Sequence, residues 1–229
     1  MKWFTLFTLL ISFQMLAETD FEKAEKLYRQ EKWEQSKLLF ESYLKSNPKN
    51  YKSIEYLGDI AGHQKKWTEA IKQYSILRSQ FPKTANYHYK FGGALGMKAR
   101  TLSKLKAYNL LDDIEKSFLT AAKLDAKHID TRWALVVLYI ELPGIVGGSE
   151  NKAKYYSDEL MALSKVDGHL SKGYIDEYFG RYKKAATEYQ KAHEIGNSKT
   201  TFQKLYNLYL NKLKDKIKAD QLKKEFDKN

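Results

Sequence analysis

The chain has 229 residues, a formal net charge of +12, 43% hydrophobic and 14% aromatic residues. This excludes wholesale disorder and allows one ordinary domain or one short solenoid. The absence of cysteine removes disulfides, thiolate metal sites and lipid attachment to cysteine, and three prolines suit helices better than a turn-rich β-sandwich.

Met1-Lys2 precede the apolar run Trp3 to Phe13, and Gln14-Met15-Leu16-Ala17 follow. A charged start, an apolar stretch too short to span a bilayer comfortably and a small residue at a cut point predict a secretory signal peptide over 1–17. Met15 stands where the peptidase prefers a small residue. Cleavage after Ala17 starts the mature chain at Glu18, just before the first repeat. The expected address is periplasmic or secreted, in a bacterium, with no membrane association beyond a peripheral one.

Next comes a repeated pattern. Leu57-Gly58, Trp67, Ala70, Tyr74 and Pro82 fall 34 residues after Lys23-Ala24, Trp33, Ser36, Phe40 and Pro48. A fixed period of this length predicts stacked helical hairpins. In the unit 51–84, Leu57 and Gly58 give the first helix a large apolar residue and then a small one that admits the paired helix closely. Trp67 opens the second helix, Ala70 sits at the crossing, Tyr74 and Leu77 fill the next layer, and Pro82 ends the hairpin. The unit 18–50 follows the same register.

This pattern resembles the tetratricopeptide repeat, a helix–turn–helix of 34 residues. The resemblance implies an all-α fold, a right-handed superhelical solenoid of stacked hairpins. Three further units are expected at 85–128, 129–167 and 168–197. The third carries Phe91-Gly92 and Leu95, then a surplus from Arg100 to Leu110 that predicts a helical extension or a lid. Ala126 stands where the repeat usually has proline. The fourth carries the long loop Leu142-Pro143-Gly144-Ile145-Val146-Gly147-Gly148-Ser149. Gly147-Gly148 lack the Lys-Ser/Thr ending and preceding strand of a phosphate loop, and Ser149 is predicted as a helix N-cap. The fifth allows two counts. Counting back from Ala185 puts Lys172 and Asp176 at core positions; counting forward from Asp167 puts Tyr174, Ile175 and Tyr178 there, and hydrophobicity favours the second.

The remainder, 198–229, reads as basic capping helices. A stripe of Phe202, Leu205, Tyr206, Leu208, Tyr209 and Leu213 is followed by a more polar one of Ile217, Leu222 and Phe226. Lys199 to Asn229 hold nine lysines against four acids. Between Tyr87 and Ala192, the order Gly92, Gly96, Leu124-Asp125, Arg132, Leu142-Pro143-Gly144-Ile145 and Gly147-Gly148 is similar to a group of exported bacterial tetratricopeptide-repeat proteins of undefined role.

Chemistry is sparse. No two of His63, His88, His128, His169 and His193 lie three or four residues apart, so no helix presents a local metal pair. His63 and His88 fall at inward-facing places of adjacent repeats. Asp112-Asp113 and Asp158-Glu159 diverge around their helices, and no Gly-x-Ser-x-Gly elbow occurs. The pattern argues for no enzyme, and no cofactor or metal is expected.

Binding has more support. The repeat geometry implied by the resemblance assigns groove positions to Lys52, Glu55, Asp59 and His63, then Asn86, Tyr89, Gly93, Gly96 and Met97, then Asp130, Trp133, Val137, Ile140 and Glu141. The groove so drawn is aromatic and mildly acidic, with the lysines on the outer face and the cap. Gly93 and Gly96 leave its middle empty. Tyr89 and Trp133 are the expected apolar anchors, with Glu55, Asp59 and Asp130 receiving basic groups. The family's carboxylate clamp needs Lys and Asn where Glu55 and Asp59, or Phe21 and Glu25, stand, so an acidic C-terminal tail is not the expected ligand.

The leading expectation is a non-catalytic protein- or peptide-binding scaffold of the cell envelope, with aromatics either open to a partner or covered by the 100–110 insertion or the C-terminal helices. The second is an electrostatic adaptor whose basic cap binds an anionic membrane or envelope polymer. Nucleic acid is not an expected partner, since no face interleaves aromatic and basic residues.

Overall fold

A computed structural model describes residues 19–228, so the leader 1–17 and the cut after Ala17 lie outside the described residues. Among the described residues all regular structure is helical. Five hairpins follow one another: α1 (Asp20–Arg29) with α2 (Trp33–Ser46), α3 (Tyr51–His63) with α4 (Trp67–Gln80), and α5 (Ala85–Ala99) with α7 (Leu111–Leu124), the short α6 (Lys104–Tyr108) lying between the last two. Then come α8 (Ile129–Glu141) with α9 (Glu150–Leu163), and α10 (Lys165–Tyr178) with α11 (Tyr182–Gly196). The chain closes with α12 (Lys199–Asn207), a π-turn at Leu208–Lys212 and α13 (Lys216–Phe226). Each hairpin packs on the next, and the core runs along the solenoid as three clusters, with Leu44 and Trp133 each packed against two of them.

The hairpins close because a small residue on the first helix meets a ring on the second. A Cβ at Gly58 would lie 2.6 Å from the Tyr74 ring, and one at Gly92 would lie 3.0 Å from Phe118. Ala24 and Phe40 make the equivalent pair in the first unit, both fully buried, and Ser36 Oγ donates to the Ala24 carbonyl at 2.8 Å. The fourth unit reverses the sizes: Val136 fills the first helix and the buried Ser157 recedes on the second, where it hydrogen-bonds Ser171 Oγ at 2.7 Å.

Gly173 sets the fifth register. A Cβ there would collide with Tyr189, at the same 16-residue spacing as Gly58 and Tyr74. Counting back from Ala185 is therefore the count the structure follows, and hydrophobicity misleads. Lys172, at the place of Leu57, turns outward to Asp158 at 2.9 Å, and Asp176 binds Arg181 Nε at 2.6 Å. Ile175 is buried, but Tyr178 is 51% exposed. A glycine suffices for the close crossing, so the unit tolerates polar neighbours.

The turns explain themselves chemically. Asp125 replaces the missing proline after α7: its side chain accepts from Lys127 N at 2.8 Å. Arg132 is 4% exposed and donates to the carbonyls of Ala122, Asp125 and His128, with Nε on Glu159 at 3.1 Å. It thus ties the end of α7 to α8 and α9. In the long loop Gly147 adopts a left-handed φ of 102°, and a Cβ at Gly148 would collide with the Leu142 carbonyl. Ser149 caps α9, accepting from Lys152 N at 3.2 Å.

The C-terminal stripe packs on α11, and Phe226 stacks on Phe202 with ring centroids 4.3 Å apart. Ile217 departs from the expected stripe and is 81% exposed; Ala219 and Leu222 take the buried face of α13. No helix among the described residues is long and apolar enough to cross a membrane.

Candidate functional site

The first helices of units two to five stand side by side, and polar contacts lace them together. Lys90 Nζ on α5 reaches back to α3, 2.8 Å from Glu55 Oε1 and 2.7 Å from Asp59 Oδ1. Trp133 Nε1 on α8 donates to Asp167 Oδ1 on α10 at 2.8 Å. Tyr174 of α10 donates to Glu141 of α8 at 3.1 Å, and the Arg100 guanidinium binds the same carboxylate. These contacts fix the spacing of the helices that form the concave face.

Between α5, α7 and α8 lies a cavity of about 580 Å³. Tyr89, Gly93, Gly96, Phe118, Trp133 and Val137 are prominent in its lining. Asp130, at the start of α8, marks one end; Glu141 with Arg100, at the helix's other end, marks the opposite one. A Cβ at Gly93 or Gly96 would meet nothing within 4 Å, so these glycines face open space and the volume they vacate is accessible. A smaller cleft of about 160 Å³ shares Tyr89 and Gly93 and extends the trough toward Tyr74. The insertion adds Ala107 to the wall but leaves Leu105 and Tyr108 exposed, so it forms a rim beside the cavity without filling it.

The seven predicted site residues divide into two groups. Tyr89, Asp130, Trp133 and Glu141 converge on the cavity. Burial first, and the charge of Asp130 second, raise the Tyr89 phenol above its ordinary pKa. Trp133 is anchored at its nitrogen by Asp167 and packs on both neighbouring core clusters, so it serves as fixed wall. Glu141 is already engaged by Arg100 and Tyr174. Burial and then Glu141 push the Tyr174 phenol up to about 12.

Glu55, Asp59 and His63 do not face the cavity as free groups. Lys90 bridges Glu55 and Asp59, Lys52 adds a 3.0 Å bond to Glu55, and the Tyr74 hydroxyl donates to Asp59 at 2.6 Å. Burial alone would raise the Glu55 carboxyl; the bonds and charges of Lys90 and Lys52 outweigh it and hold the group below its usual range. The expectation that these acids receive basic groups from a ligand is therefore corrected: the cation is the chain's own. The expectation that lysines keep to the outer face fails at Lys90, whose side chain is 19% exposed. Its position was legible, since it falls 31 and 35 residues after Asp59 and Glu55, one repeat away within about a helical turn.

His63 stacks on Trp33 at 4.3 Å, and His88 Nε2 bonds the Pro82 carbonyl at 2.9 Å. They lie near opposite ends of their parallel helices and do not converge. Among the described residues no group of three or more His, Asp or Glu is placed to hold a metal ion. Ile140 was assigned to the groove but is 3% exposed and belongs to the core; Ala134 and Leu138 line the cavity in its stead. Sequence reasoning also missed Phe118 and Ile114, the floor contributed by α7, because the insertion shifts that helix out of the repeat count.

No family model matches the chain, and no curated protein matches it. Solved structures do. The thermophilic TPR protein TTC0263 of Thermus thermophilus superposes with a TM-score of 0.68 at 16% identity, covering 83% of this chain and 97% of its own. PilW, a widely conserved type IV pilus biogenesis factor, gives 0.63 at 14% identity over 92% of this chain and 91% of its own. YrrB, a TPR protein with an unusual peptide-binding site, gives 0.54 at 14% identity over 80% of this chain and 87% of its own. In fold the chain is a tetratricopeptide-repeat protein, an all-α solenoid of helical hairpins.

Proposed function

We propose that this protein is a non-catalytic scaffold of the bacterial cell envelope that holds a protein or peptide segment in the trough between α5 and α8. The observation that carries the reading is the 580 Å³ cavity over Gly93 and Gly96, walled by Tyr89, Phe118 and Trp133. A preformed apolar hollow of this size fits a bulky side chain and lowers the ordering cost of binding. Asp130 has no ion pair among the described residues, so a lysine or arginine beside the apolar anchor completes the match. The peptide-binding site of YrrB supports the class of ligand, and the 1–17 pattern supports export.

Binding of labelled peptides carrying a central Phe or Leu flanked by Lys, followed by fluorescence anisotropy, tests the groove. Gly96→Phe fills the hollow from a position where no neighbour interferes, and should cut affinity at least about tenfold with helicity unchanged. Equal affinity in Gly96→Phe rejects this site. N-terminal sequencing of the protein from its envelope fraction tests the address: a first residue other than Glu18, or an uncut chain, rejects the cleavage. Crosslinking in that fraction with mass spectrometry identifies the partner.

A further inference from the structure

The geometry points to a second docking surface, separate from the groove: the edge formed by the turns after α5, α8 and α10 seats on an anionic lipid surface. In each hairpin the turn between first and second helix falls on the same edge of the solenoid. In the first two units these turns are short and polar, Gln30-Glu31-Lys32 and Gln64-Lys65-Lys66. In units three to five they carry the apolar tips of the chain. Leu105 is 78% exposed, Tyr108 59%, Ile145 96%, Tyr178 51% and Phe179 44%.

The three turns are physically joined. Arg100, opening the insertion, binds Glu141 immediately before the long loop, and Arg181 Nη2, in the turn after α10, binds Glu150 immediately after it at 2.8 Å. The 142–149 loop is thus clamped between its neighbours. It is also internally bonded, with Val146 N on the Pro143 carbonyl at 3.0 Å and Gly148 N on the same oxygen at 3.1 Å. Ile145 is therefore presented on built backbone.

The charge matches a bilayer. From 98 to 111 the chain has Lys98, Arg100, Lys104 and Lys106 and no acid, with Arg100 paired to Glu141 and the exposed Asp112 and Asp113 following at the start of α7, and from 142 to 149 it has no charged residue. Lys104, Lys106, Lys183 and Lys184 have no carboxylate partner among the described residues and are exposed. Aliphatic and aromatic tips spread over three turns, with Lys104 and Lys106 around Leu105 and Lys183 and Lys184 after Phe179, differ from the single apolar patch that a protein partner buries. They fit an interface where each tip enters the headgroup region and each ammonium meets lipid phosphate.

Co-sedimentation of the mature protein with vesicles of phosphatidylglycerol and phosphatidylethanolamine, against phosphatidylcholine vesicles, tests this. Wild type should pellet with the anionic vesicles only, and less as salt rises. Lys104→Glu/Lys106→Glu and Leu105→Asp/Ile145→Asp alter exposed side chains, so helicity by circular dichroism should hold while each reduces the bound fraction at least about tenfold. Lys223→Glu/Lys224→Glu, on the C-terminal cap, should bind like wild type, and so should the groove-filling Gly96→Phe. Equal binding to both vesicles, no binding to either, or edge variants that pellet like wild type would overturn the assignment. Loss in the cap variant alone would move the surface to the cap. Edge variants that lose a protein crosslink with no lipid binding in wild type would make the edge a protein interface. The peptide site is read separately by fluorescence anisotropy, so failure here leaves it standing.

Discussion

Lys90 Nζ lies 2.7 and 2.9 Å from the two oxygens of Asp59, so one ammonium closes the seam between the first helices of adjacent repeats. It also holds Glu55 at 2.8 Å. Removing it leaves, among the described residues, Asp59 with the Tyr74 hydroxyl and no cation, and the buried Glu55 with Lys52 as its one cation. Lys90→Met should therefore destabilise by about 2 kcal/mol, less than for a fully buried pair because Asp59 keeps 21% of its side chain exposed. That corresponds to a fall of roughly 4–8 °C in Tm for a chain of this size. The lowered Glu55 pKa adds stability above its unfolded value, about 4.3, which is lost as pH falls through the folded value. The gap between variant and wild type should accordingly narrow in melts at pH 4 compared with pH 7.

The glycines of α5 separate two roles on one helix. Gly93→Ala and Gly96→Ala should each stabilise by about 1 kcal/mol, since Ala is the better helix former and its methyl meets nothing. Gly92→Ala should destabilise, because the added Cβ would lie 3.0 Å from Phe118. Denaturant midpoints of the three variants check the contrast; the same sign for all three would mean that the cavity floor is not where it is drawn.

Arg132 is the most connected buried charge. Its guanidinium serves three carbonyls and Glu159 at once, a fork that an ammonium cannot reproduce. Arg132→Lys should cost about 3 kcal/mol, seen as a lower urea midpoint. A loss under about 1 kcal/mol would show that the end of α7 finds other donors.

His193 couples the cap to pH. Burial, against the opposing charges of Glu194 and Glu225, lowers its pKa, and its Nδ1 bonds Thr201 Oγ1 at 3.0 Å beside Phe202 and Phe226. The unfolded chain therefore takes up the proton first. The contribution is fully present above about pH 6.5 and is lost as pH falls toward the folded value. Tm should drop between pH 7.5 and 5.5, and His193→Gln should flatten that part of the slope. An identical slope in both proteins would place the proton elsewhere.

Much of this architecture was written in local pattern. The pairing of a small residue with a ring 16 positions later requires only contact within one hairpin, so Gly58 with Tyr74 announced the fold, and Gly93 and Gly96 announced an empty stretch of groove. Hydrophobicity misled in the fifth unit, where the glycine at 173 did the positioning and polar neighbours were free to turn outward.

By itself, then, the amino-acid order determined the helical repeat and the small residues at its close crossings, because helical periodicity and close crossings depend on near neighbours. Tertiary structure decided which charges are spent inside the molecule and which stay available; the spacing of Lys90 from Asp59 and Glu55 allowed their pairing, and stacking of the repeats made it. Lys90 meets Asp59, Arg100 meets Glu141 and Trp133 meets Asp167 only after hairpins stack, since each pair joins two different repeats. Electrostatic neutralisation acts across space within a few ångströms, and stacking is what brings groups about 30 to 40 residues apart to that range.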